Sequence, residues 1–215
     1  MGGDLLEKVN YFILFITALI TVTINPWTLH SQLKNLVGDT QFCMVLLHIS
    51  LQTFFALTTV VHAGVILVQL QSPAKHHDLI FWSGIAYASS IMITGLADMF
   101  LTFDRFLAII YPLQYHFLIK RRLVITAITV ISLAFGIMFV LLIFGRIDPS
   151  PQAVMLGLHI TPSMSAVIMI VNTGFAVLNI PIAVVFMIKM RNITRSISSS
   201  SSNMSKSDVK TEKES

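Results

Sequence analysis

Few side chains in this sequence could do chemistry, and the informative ones stand in apolar surroundings. Asp98 is the one acid well inside a long apolar run, and Asp104 and Arg105 follow it side by side. A carboxylate at that depth is costly unless something answers it, so Asp98 calls for a partner. The histidines (His30, His48, His62, His76, His77, His116, His159) are scattered, without the HExxH spacing of a zinc helix. The adjacent His76 and His77 read as a solvated loop pair rather than a metal site. One cysteine, Cys43, can form neither an intramolecular disulfide nor a four-ligand zinc site. No phosphate-cradling glycine loop, GxSxG turn or pair of catalytic carboxylates occurs. These residues predict no catalytic group, no metal and no cofactor, and a protein that is not an enzyme.

The elements that must position Asp98 follow from composition. Of 215 residues, 55% are hydrophobic and 11% charged, with a mean hydropathy of +0.81. A soluble domain carries about 25% charged residues. So little charge excludes a soluble enzyme, a nucleic-acid-binding domain and a disordered chain. The chain reads as an all-α membrane protein whose first partner is the lipid bilayer. Charge-free stretches give five spans, roughly 9–29, 43–70, 79–109, 123–145 and 163–189, each near the 20 or so residues a bilayer crossing needs. They lack the period-two alternation of a lipid-facing barrel. Pro26 and Pro162, near span ends, read as helix boundaries. The first span lacks the basic flank and small-residue cleavage site of a signal peptide, and Leu6 stands where a myristoylation signal wants Ser or Thr.

Eleven of the fourteen Lys and Arg residues fall on one side if the amino terminus is outside; only Lys8, Lys75 and Arg146 fall on the other. The positive-inside rule therefore predicts an extracellular amino terminus and a cytoplasmic carboxyl tail in the cell membrane. Residues 1–190 make the helix bundle, and 191–215 read as a disordered, serine-rich cytoplasmic tail. That tail is either a solvated extension or a phosphorylation or adaptor segment. The sequons at Asn192 and Asn203 lie in it, and on this topology they stay unmodified.

Along the third span, Ser83, Tyr87, Ser90, Thr94, Asp98, Thr102 and Arg105 recur at intervals of three and four. At about 100° per residue they form one polar stripe. In lipid such a face must turn to other helices or to a water-filled cavity, which makes the third helix central. By depth, His48 on the second helix lies level with Asp98, so a His48–Asp98 contact is feasible. If the bundle holds a ligand, the outer-half candidates are Ser83, Tyr87, Ser90 and His62, with Thr58, Thr59 and Asn172.

The stretch Leu96–Tyr115 carries a resemblance. Asp104-Arg105-Phe106 is similar to the Asp-Arg-Tyr motif of seven-helix G-protein-coupled receptors, with Phe replacing Tyr. Leu107-Ala108-Ile109 and Tyr111-Pro112-Leu113-Gln114-Tyr115 resemble the flanking pattern, and basic Lys120-Arg121-Arg122 follows. Within that superfamily the chain most resembles nematode serpentine chemoreceptors, class BC or a neighbouring class. It departs from the commoner receptors in lacking an Asp in the second span, a Trp in the fourth, and a Cys at the start of the third. The usual extracellular disulfide is therefore absent. The resemblance implies that Arg105, restrained by Asp104 at rest, helps engage a heterotrimeric G protein, and that Pro181 corresponds to a kink in the fifth helix. It also implies a small extracellular chemical as ligand.

The resemblance covers roughly residues 9–190, and nothing matches a sixth or seventh helix. The expectation is a truncated or divergent chemoreceptor, with truncation after the fifth helix the favoured reading. The alternative is a non-signalling receptor fragment that associates with full-length relatives. A transporter or channel would need paired ion sites or an inverted repeat, and neither is evident.

Overall fold

A computed structural model describes residues 2–35, 43–72, 76–115, 119–150, 153 and 155–211. Five long helices run Gly2–Asn35, Cys43–Gln71, His77–Ile110, Lys120–Phe144 and Pro162–Thr211. Each contains a segment long and apolar enough to cross a membrane: Leu5–Lys34, Cys43–Gln71, His77–Ile110, Lys120–Phe144 and Pro162–Arg191. Without water in the bilayer, a helix is the form in which a single segment satisfies its own backbone groups, which explains why such apolar runs are helical.

The first helix packs on the second and the second on the third, while the third also touches the fourth and fifth. The third helix is thus the axis of the bundle. Two apolar clusters flank it. Toward the Cys43 end of the second helix, Met44, Ile93, Leu96, Ala97, Leu123, Ala127 and Ile131 are buried together. At the opposite end, Phe81, Ile85 and Ala88 meet Met138, Leu142 and Ile160. Between the third and fifth helices the backbones come close. A Cβ added at Gly95 would lie 3.2 Å from Cβ of Phe175, and Nδ2 of Asn179 donates to the Gly95 carbonyl at 3.4 Å.

Pro162 opens the fifth helix, in a position that needs no amide hydrogen bond. Pro26, expected to end the first helix, instead lies inside it, and the helix continues to Asn35. Stopping there would have exposed several more backbone groups in apolar surroundings, whereas passing through forgoes a single hydrogen bond. Beyond the fifth span the backbone stays helical to Thr211, across most of the stretch expected as a tail. Lys75, His116 and residues 212–215 lie outside the described residues.

Between the fourth and fifth helices the chain folds back on itself. Arg146 and Ile160 form an antiparallel bridge, Ile147 N–H donates to the His159 carbonyl at 2.9 Å, and Thr161 N–H to Gly145 at 2.9 Å. The single turn Leu156–Leu158 then lies over the third helix. An added Cβ at Gly84 would sit 2.8 Å from Cδ1 of Leu156, so the turn rests where only a glycine hydrogen fits.

Candidate functional site

The polar stripe of the third helix faces the second helix and is answered rung by rung. Ser83 Oγ donates to the Ile80 carbonyl at 3.2 Å and lies 3.1 Å from Nδ1 of His62. Because the Ser83 proton is directed at Ile80, His62 donates from Nδ1, which leaves its Nε2 with the lone pair. The His62 ring stacks on Tyr87 at a centroid distance of 5.1 Å and takes the edge of Tyr11 at 6.4 Å. Tyr87 stacks in turn on Phe55. One rung lower, Ser90 Oγ and Thr58 Oγ1 are 2.7 Å apart. Thr94 and Thr102 bond to their own helix, at the carbonyls of Ser90 and Asp98. Deeper still, His48 Nδ1 lies 3.4 Å from Asp98 Oδ1. That approach lacks hydrogen-bond alignment.

At the His62 and Tyr87 end these groups open into a cavity of about 320 Å³. Tyr11, His62 and Tyr87 form one wall, Ile91, Ile168 and Met169 line the sides, and Met155–Gly157 make the roof. Of the ligand candidates read from the sequence, His62 and Tyr87 line this cavity. Ser83 stands behind His62, Ser90 is buried against Thr58, and Asn172 is half-buried without being among the lining residues. Tyr11 and the roof were missed: neither lies on the polar stripe of the third helix, and the roof residues are separated in sequence from every stripe position.

The roof is tied to the start of the third helix. Arg146 forms an ion pair with Asp78 and sits over the Phe81 ring, 4.7 Å from its centroid. His77 Nδ1 lies 3.2 Å from Nε2 of His159, and His159 Nδ1 is 2.8 Å from the Met155 carbonyl. His159 is fully buried. Burial holds its pKa below the usual imidazole range against the opposing Met155 hydrogen bond, and His77 and Arg146 add to that lowering. His77 is thus the first residue of a helix and touches a distant loop, not the solvated pair that its neighbour His76 suggested.

At the other end, Asp104 is fully buried and accepts a hydrogen bond from the hydroxyl of Tyr115. Burial, followed by this bond, raises the Tyr115 pKa. The short turn Pro112–Gln114 brings Tyr115 back under the helix end. The charges of Arg105 and Lys120 also act on Asp104, and Lys120 is itself buried with no hydrogen bond to its ammonium among the described residues. Arg105 is exposed and forms no salt bridge among the described residues. Among the described residues the hydrogen bond to Asp104 thus comes from Tyr115, and the Arg105 charge acts beside it. Phe106 is half-buried, and Tyr111 and Pro112 are exposed at the same end.

A bundle of membrane-length helices with a polar central helix, a cavity toward one end and a buried Asp toward the other has the build of a helical membrane receptor. Residues 16–209 match the family model of the serpentine type 7TM GPCR chemoreceptor Srsx, so the chain belongs to the Srsx family of serpentine chemoreceptors. The match is to Srsx rather than class BC, and the family is not one of enzymes. No curated protein matches the chain.

Proposed function

We propose that this chain senses a small extracellular chemical in the cavity beneath the Met155–Gly157 roof. The observation that carries the reading is the His62–Tyr87 stack at the wall of that cavity, level with apolar side walls. A volume of about 320 Å³ suits a small molecule, and one or two polar groups in an apolar lining orient such a ligand. With its Nδ1 hydrogen directed to Ser83, His62 favours a compound carrying one hydrogen-bond donor on an apolar body. In this reading the amino terminus is extracellular, the tail from Arg191 is cytoplasmic, and Asp104, Arg105, Phe106, Tyr111 and Pro112 form the surface that meets a heterotrimeric G protein.

Five helices of spanning length occur among the described residues, against seven in the family description. The fifth has no buried residue between Pro162 and Arg191. Those observations favour a second reading, in which the chain associates with a full-length relative and does not signal alone. One experiment addresses both. The purified chain is screened against small volatile and polar compounds by thermal stabilisation, then expressed alone or with a full-length Srsx receptor in a G-protein reporter cell. Stabilisation lost in His62→Ala and Tyr87→Ala supports the cavity reading. Signalling by the chain alone supports the receptor, whereas silence with co-purification of the relative supports the partner reading. Stabilisation unaffected by both substitutions overturns the cavity assignment.

A further inference from the structure

Two imidazoles, 82 residues apart in sequence, meet edge to edge where the outer loop joins the third helix. The Met155 carbonyl accepts the Nδ1 hydrogen of His159 at 2.8 Å and so fixes that ring's tautomer. Its Nε2 therefore accepts the Nδ1 hydrogen of His77, 3.2 Å away. A backbone carbonyl holding the far nitrogen of a histidine is the usual outer support of a metal ligand.

We propose that His77 and His159 together bind a divalent transition-metal ion of the zinc or copper class, which fastens the cavity roof to the outer end of the third helix. Two nitrogens each about 2.0–2.1 Å from a tetrahedral ion stand about 3.3–3.4 Å apart. The observed 3.2 Å needs only a small adjustment. When the ion enters, His77 moves its hydrogen to Nε2 and offers Nδ1, and the ion takes the place of the hydrogen the pair now shares. The opposing charge nearby is Arg146, and its guanidinium is already engaged by Asp78 and the Phe81 ring. No third His, Cys, Asp or Glu completes a cluster among the described residues, so water fills the remaining positions, reached from the half-buried His77 side. Two protein ligands give a site that loads and empties with the surrounding metal level. His159 lies three residues beyond Leu156, and Met155 both holds His159 and lines the cavity. Metal occupancy therefore stiffens the roof without entering the cavity.

The test uses the purified 215-residue chain in detergent, stripped with a chelator. Zinc chloride is titrated while the melting temperature is followed, and one equivalent of copper(II) is examined by electron paramagnetic resonance. The wild type should gain thermal stability with zinc and show coupling to two imidazole nitrogens with copper. His77→Ala, whose metal-free melt is recorded first to establish that it folds, should weaken zinc binding by at least about tenfold and lose one nitrogen from the copper signal. His76→Ala should change neither. An unshifted wild-type melt, or a His77→Ala protein with an unaltered zinc response and two-nitrogen signal, overturns the proposal. None of these readouts involves the organic ligand, so they stand or fall apart from the chemosensory reading.

Discussion

Tyr115 and Asp104 show how one hydroxyl can answer a buried carboxyl at the end of a membrane-length helix. Asp104 is buried at the mouth of the third helix, and its strongest single partner is a tyrosine held eleven residues further along by a proline turn. Phenylalanine fits the same space and removes only the donor. Tyr115→Phe should destabilise the folded chain by about 1–3 kcal/mol, the usual consequence of leaving a buried acceptor unmet, read as a lowered melting temperature in detergent. Lys120 provides the control. If its ammonium fully compensates, Tyr115→Phe will match wild type while Lys120→Met will not, and the hydroxyl will have no structural role. The Asp104-Arg105 dipeptide was legible in the sequence. The tyrosine's part was not, because Tyr115 appeared only as the last letter of a flanking pattern and nothing in spacing points its ring back at the helix.

At the scale of elements, the third helix was the most legible part of the chain. Its polar residues are so sparse against an apolar background that intervals of three and four stand out, and the face they define meets the second helix at Ser83, Ser90 and Asp98. Loops are less readable. The roof is fixed by Leu156 resting on Gly84, a contact between residues with no shared periodicity. Gly84→Ala places a methyl 2.8 Å from Leu156 Cδ1 and 3.0 Å from its Cβ, so the turn must rise. The expected cost is about 1–3 kcal/mol, as for other overpacked sites. Leu156→Ala in the same chain should recover part of it, giving a non-additive double mutant. Simple additivity would mean that the two residues do not press on each other. Pro26 makes the converse point. Proline's rule as a helix breaker was learned in water, and an apolar surround reverses the balance by making a stop costlier than a missing hydrogen bond.

For the whole molecule, composition and charge alone reached the number of spanning helices and the environment they need, because both depend on sums over many residues rather than on particular contacts. The positive-inside bias predicts that the sequons at Asn192 and Asn203 face the cytoplasm. Expression in glycosylating cells followed by endoglycosidase treatment should leave the mobility of the chain unchanged, and a downward shift would reverse the orientation. Contacts that close the bundle, such as His77 with His159, escaped the sequence because they join elements that only the folded helices bring together. One such closure is made by the first helix against the second. Along the first helix, Thr17, Thr21, Thr23 and Thr28 each turn their hydroxyl to their own backbone. What that helix offers the cavity is the edge of Tyr11 against His62. That side of the chamber is therefore set by where the first helix packs, through a ring contact rather than a directed hydrogen bond among the described residues.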